Sequence, residues 1–279
     1  MTPGRPGARL LAIGSSASLA LTLVGARLVF ALSLDNLKPK VELSLKPGGA
    51  ERGAIEVVNR SGEAVQIKAY LQDWRYKSLG DGSKTFTAPD TSPRSCAGWI
   101  SFYPQEMTVP PNGRAVIDYT VRAPQDATLQ GGYYAVLFVQ GMLGEVPNPV
   151  APAGTEATVK FAASLGSLFL VEVDGTVTRE GRLALEPVAW PTGNAPLTVR
   201  GRLRNEGNAF LHCTGSFHVV GAGEVVVARG KLPDRYVWPE DEAAFEGTWS
   251  GELPAGTHPV VVTYDCGGEL VLVEETVLP

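Results

Sequence analysis

The chain predicts an all-β protein built as two β-sandwiches in tandem. Three observations carry that prediction: short runs of period-two alternation, turn signals between them, and no stretch after the N-terminus that sustains a period of 3.6. Gly (32) and Pro (21) are abundant, as a fold with many turns requires. At 279 residues the chain is long enough for two domains with separate cores.

The clearest stretch runs from Pro104 to Gln140. Pro104 to Gly113 reads as a short strand entering a proline-rich turn. Arg114 to Ala123 then alternates, with Ala115, Ile117, Tyr119 and Val121 on one face and Arg114, Asp118, Thr120 and Arg122 on the other. Tyr133 to Val139 is apolar on both faces and so predicts a central strand.

Taken from the start, residues 1–33 form a leader. Arg5 and Arg9 precede an apolar run of small residues from Leu10 to Ala26, and Ala31-Leu32-Ser33 fits a small-x-small cleavage site. Arg27 interrupts the run, so an uncleaved anchor is the alternative, and in that case alone the chain touches a membrane. Both readings export the body to the periplasm or cell surface. Loss of Arg5, Arg9 and Arg27 takes the formal charge from −5 to −8. No basic cluster is visible, which argues against nucleic acid as a partner.

The first sandwich is expected over residues 34–173. Val41, Leu43 and Leu45 share one face of a strand that Pro47-Gly-Gly49 ends; Ile55 and Val57 precede the turn Asn59-Arg-Ser-Gly62. Val65, Ile67, Ala69 and Leu71 lead to Trp74, and Asp81-Gly82 marks a hairpin tip in the loop from Arg75 to Ala97. Gly141 to Glu156 has no period and reads as one long loop, a feature that is often functional. Val159, Phe161, Ala163 and Leu165 alternate beyond it, and Leu168 to Val173 is almost wholly apolar. About seven strands result, enough for an immunoglobulin-like sandwich. The second is expected over 174–279: strands through Leu183, Leu197 to Leu203, Leu211 to Phe217, Val225 to Ala228, Phe245 to Trp249, Val260 to Tyr264 and Leu270 to Val277. Asn59 to Gly62 and Asn205 to Gly207 repeat one turn idiom, so the two units read as distant copies.

Catalytic and metal-binding constellations do not emerge, and no cofactor is expected. His212 and His218 lie six residues apart on one strand, about 20 Å at the usual rise, too far to share an ion. Gly80 to Thr85 lacks the spacing of a phosphate loop, and there is no Gly-x-Ser-x-Gly or Cys-x-x-Cys. The chain therefore reads as a binding protein and not as an enzyme. Cys213 and Cys266 fall on inward sets of separate strands, which in an exported chain favours a disulfide and leaves Cys96 as a buried thiol or an intermolecular partner. Arg200, Arg202 and Arg204 share one strand face, either as an anion-binding fork or, more simply, as a solvated face with acids beside it. Trp74, Trp99, Phe102, Tyr119 and Phe138 read as core, and Tyr133 as a tyrosine that ties down a loop.

Residues 35 to 173 resemble the periplasmic pilus-assembly chaperones. The resemblance is carried by Gly53-Ala-Ile-Glu-Val-Val-Asn-Arg-Ser-Gly62, Leu71-Gln-Asp-Trp74, Phe102 to Gly113, Val121-Arg-Ala-Pro124 and Gly132-Tyr-Tyr-Ala-Val-Leu-Phe138. It implies that the last strand of the first domain is lent to a protein partner by β-augmentation, through Val159, Phe161, Ala163 and Leu165. It also implies a basic pair in the interdomain cleft that anchors the partner's terminal carboxylate. The tract Ala163 to Val173 carries no basic residue, and Lys160 lies upstream of it. The reading set against partner binding is a structural or adhesive envelope protein, in which the same strand is internal to its sandwich.

Overall fold

The computed structural model describes residues 34–36, 38–147, 158–191 and 195–279, with residues 34–36, 142–147 and 158–161 described by backbone alone. The leader expected over 1–33 lies outside the described residues. The strands are β1 (Leu34–Asn36), β2 (Lys40–Leu45), β3 (Ala50–Asn59), β4 (Val65–Tyr76), β5 (Lys84–Thr87), β6 (Ile100–Tyr103), β7 (Glu106–Val109), β8 (Arg114–Arg122), β9 (Gly132–Pro147) and β10 (Thr158–Val173). They continue as β11 (Gly181–Leu185), β12 (Leu197–Asn205), β13 (Leu211–Val220), β14 (Val226–Val237), β15 (Glu242–Trp249), β16 (His258–Asp265) and β17 (Val271–Leu278).

Two pairs of facing sheets result, each pair an immunoglobulin-like sandwich. In the first, the order β1-β3-β8-β6 faces β2-β10-β9-β4-β5, with β7 also on β4. In the second, β11-β12-β15 faces β14-β13-β16-β17. The alternation read in β8 places Ile117, Tyr119 and Val121 inward, where they join Ile55, Val57, Phe169 and Val171 in one core. β9 lies between β10 and β4, which is why both of its faces are apolar. The second core gathers Leu197, Leu203, Phe217, Val262 and Tyr264, and a disulfide joins Cys213 to Cys266 within it.

The same asparagine device closes both sandwiches. The Asn59 side-chain amide donates to the carbonyls of Glu63, Val109 and Pro110, and its oxygen accepts from the Ser61 N–H and hydroxyl. Asn205 donates to the carbonyls of Ala209 and Val237 and accepts from the Gly207 N–H. Each stands at the end of the strand that pairs with its sandwich's equivalent partner, β3 with β8 and β12 with β15. An amide is needed because donor and acceptor must work together on buried backbone groups.

Two expectations are corrected. The stretch from Gly141 to Pro147 is strand, not loop: β9 continues there and pairs with β10 from Thr158 to Phe161, so only residues 148–156 of the expected loop lie outside the described residues. Its glycines erase the side-chain period, whereas ladder pairing needs only the backbone. The strand expected over Val225 to Ala228 runs on to Val237. Pro233 hid it; the register steps from Gly215↔Leu232 to Cys213↔Arg235, a bulge that absorbs the residue without an N–H.

Replacing Asn59 by Ala strands several buried backbone groups and is expected to cost about 2–4 kcal/mol in urea unfolding. Asn59→Asp should cost a similar amount, because a carboxylate cannot donate to the three carbonyls.

Candidate partner-binding edge and interdomain cleft

β10 is covered unequally on its two sides. On one side β9 pairs with it from Thr158 to Glu172, with an irregularity between Phe161 and Ala162. On the other, β2 runs parallel to it only from Leu168 to Val173. Upstream of Lys40 the chain leaves this sheet: Pro39 offers its carbonyl to the Leu168 N–H but has no N–H of its own, and β1 pairs with β3 in the facing sheet. From Thr158 to Ser167, β10 therefore has no strand on that edge among the described residues.

The four residues proposed for partner contact are distributed along this edge. Val159 pairs with Val146 and Phe161 with Gly144, all four within the backbone-only segments. Ala163 is half-buried opposite Gly141. Leu165, opposite Val139, is half-buried and packs on the first core. Ala162 and Ser164 are exposed on the opposite face.

Aromatic side chains set the geometry where the sandwiches meet. Trp74 is not in either sandwich core. It packs with Tyr76, Tyr134, Val136, Leu170 and Trp238 in a third cluster that joins the two units. Trp74 donates its indole N–H to the Ala135 carbonyl at 2.9 Å and meets Trp238 edge-on at 5.5 Å. The tethering tyrosine is Tyr134 rather than Tyr133: its hydroxyl accepts the Phe210 N–H at 2.9 Å, while Tyr133 packs against Trp99. Backbone bonds add to this, from Gly132 N–H to Asn208 O and from Tyr236 N–H to Gly80 O, and Arg75 pairs with Asp241. Gly80 and Gly131 have positive φ and no room for a side chain; a Cβ on Gly80 would lie 2.4 Å from that of Ala243, and one on Gly131 2.3 Å from Asn208 O.

Beside this junction lies a cleft of about 480 Å³ lined by Leu43, Leu170, Glu172, Arg179, Phe210 and His212. The basic side chains in and beside it already have partners: Arg179 pairs with Glu172, Lys40 with Glu42 while its ammonium lies 5.9 Å from the Phe210 ring, and His212 stacks on Tyr236 near Asp234. A carboxylate entering the cleft would compete with these acids. Arg200 and Arg202 lie on the opposite side of the second sandwich, paired with Glu246 and Glu242; Arg204 lines a shallow pocket with Arg182, Arg202 and Glu242. These pairs fit the simpler reading of that face. No group of three or more His, Cys, Asp or Glu side chains could hold a metal among the described residues.

Cys96 is fully buried, and burial, with Asp73 and Asp90 nearby, raises its thiol well above the usual range. The Asp73 carboxylate beside it accepts the N–H groups of Asp90, Thr91 and Ser92 and the Ser95 hydroxyl, a cluster that pins the loop after β5. Nothing in the sequence marked Asp73 for this role.

Together the strand order and the half-covered β10 define a tandem-sandwich protein in which part of the β10 edge carries no strand among the described residues. No protein-family model matches the sequence, and no curated protein matches it. In fold the chain is similar to fimbrial chaperones. A chain of the chaperone–tip adhesin complex of CFA/I fimbriae aligns at 13% identity over 87% of this chain and 98% of its own, with a TM-score of 0.47. The E. coli chaperone DraB aligns at 15% identity over 89% and 97%, TM-score 0.42. A chain of the Salmonella enterica SafA pilin–SafB chaperone complex aligns at 13% over 87% and 96%, TM-score 0.42. The sheet topology, and not these likenesses, defines the fold.

Burial, with Tyr236 nearby, raises the Tyr76 hydroxyl from 10.0 to about 12, and burial also raises Tyr134. The neutral phenols are favoured in the folded state, so their contribution is complete below about pH 10 and is lost as the pH climbs towards 12. Tryptophan fluorescence should therefore report an alkaline transition of the junction, and Tyr76→Phe should move it to higher pH.

Proposed function

We propose that the protein is an exported, non-catalytic binding module that engages a protein partner by adding the partner's strand to β10 between Thr158 and Ser167. One observation carries this reading: a sixteen-residue strand whose outer edge is covered by β2 over its last six residues only. Unpaired N–H and C=O groups on a sheet edge are a template for another strand, and proteins usually blunt such edges with charges or cover. Lys160 is the one charged residue between Thr158 and Ser167, and Ala162, Ala163, Ser164, Leu165 and Gly166 add none. A strand laid there gains main-chain hydrogen bonds, and side chains at alternate positions supply selectivity. The half-buried Leu165 and Ala163 then present apolar surface at the margin of the first core. The basic side chains at the cleft, each with an acid already beside it, make backbone pairing and not carboxylate capture the main source of affinity. Export to the periplasm or cell surface is part of the proposal, supported by the leader-like residues 1–33 and by the disulfide.

Two measurements test it. In hydrogen exchange on the purified protein, alternate amides between Thr158 and Ser167 should exchange fast while those of Leu168 to Val173 are protected. Uniform protection along the strand would show the edge closed and end the proposal. The paired change Ala162→Asp with Ser164→Lys places charges on exposed edge positions; it should abolish recovery of a cross-linked partner while leaving the melting temperature within a few degrees. Retention of that partner would point away from β10.

A further inference from the structure

The outward face of the second sandwich's larger sheet has a charge arrangement unlike that of the sheet behind it. On β12 and β15, Arg200 and Arg202 meet Glu246 and Glu242 across the strands, so the charges are neutralised within the chain. On the β14-β13-β16-β17 sheet they are separated to opposite margins. The register sets Glu275, Val261, His218 and Arg229 in one row across the four strands, and Val273, Thr263, Ser216 and Lys231 in the next. These residues point away from the core, because their neighbours Phe217, Val219, Val260, Val262, Leu272 and Leu232 fill it. Among the described residues, Glu275, Arg229 and Lys231 have no ion-pair partner. Within these two rows no Asp, Glu, Lys or Arg stands between the margins; Asp265 on β16 shares the face one row further on, and Val273 and Val277 on β17 are 57% and 51% exposed.

We infer that this face is a docking surface for a second copy of the same chain, stacked sheet on sheet about a two-fold axis parallel to the strands. Rotation about that axis keeps each row at its own height and exchanges the margins. Glu275 of each copy then lies over Arg229 of the other, and Val273 lies over the aliphatic stem of Lys231. The two-fold axis across the strands would instead bring β17 onto β17 and set Glu275 towards its own copy, a like-charge contact that opposes docking. Aligned sheet packing at about 10 Å is an ordinary geometry for such faces.

The size of the face limits the strength. Four strands by seven residues span roughly 19 by 23 Å, or about 440 Å² per copy, against about 800 Å² in a standard interface. The dimer is therefore weak, in the micromolar range or above, and sensitive to salt. It uses a different sheet from the one that carries β10 and leaves the open edge free.

Sedimentation equilibrium at low ionic strength tests this on the purified protein. The weight-average mass should rise from one chain towards two between low micromolar and several hundred micromolar protein. Arg229→Glu and Val273→Asp, both at exposed positions, should each weaken association by about tenfold or more. Arg229→Glu combined with Glu275→Arg restores the pairing with signs reversed and should recover it, a rescue that nonspecific surface effects would not give. A single-chain mass at all concentrations, a charge-reversed double variant no better than Arg229→Glu alone, or association abolished by Ala162→Asp with Ser164→Lys but not by Arg229→Glu would each overturn the inference.

Discussion

Parallel pairing between β2 and β10 ends at Leu168, and the character of the first sandwich follows from where it ends. Every backbone N–H and C=O removed from water needs a partner. At the end of β10 near Val173, β2 supplies it; toward Thr158 no described strand does on that side. Pro39 sits at the changeover. Without an amide proton it cannot extend the ladder, while its carbonyl closes the last bond to Leu168, and the preceding residues are free to cross to β3. One residue type at one position thus divides a continuous strand into a covered part and an open part.

The aromatic junction makes that division consequential for the rest of the molecule. Trp74, Tyr76 and Tyr134 come from the first sandwich, Trp238 and Phe210 from the second, and each ring touches at least one ring across the boundary. The hairpin tip at Gly80 and the Gly131–Asn208 contact lock its two ends through backbone bonds that tolerate no side chain. Burial of rings at this density contributes on the order of 1.5–3 kcal/mol each, so the relative placement of the sandwiches is a property of the folded state. The cleft beside it keeps its shape for the same reason.

Much of this was legible in the sequence, and the failures have physical causes. Alternation in β8 and the two-sided apolarity of β9 translate directly into burial, because side-chain period and sheet position are linked by pleat geometry. The turns at Asn59 and Asn205 were visible as composition; that one amide serves several buried carbonyls is a fact of three-dimensional convergence. Trp74 was misplaced because a tryptophan buried between domains and one buried inside a domain have the same sequence signature. The extension of β9 through Gly141 and of β14 through Pro233 was hidden where pairing, not periodicity, holds the strand. The open edge of β10 could be inferred only through resemblance, since an uncovered edge is a property of what does not pair with it. The segregation of Arg229 and Glu275 was invisible, because register across four strands decides which charges share a row.

The burial of Cys96 has a bearing on how this polypeptide reaches its oxidised form. It precedes Cys213 by more than a hundred positions, and the strands that enclose it are complete by Val173. In a chain that emerges N-terminus first, the odd thiol can be sealed inside the leading sandwich before either member of the later pair appears. Its high proton affinity further suppresses the thiolate that attacks disulfides. Three cysteines would otherwise allow three pairings; with Cys96 sealed away, Cys213 and Cys266 are the pair left to meet.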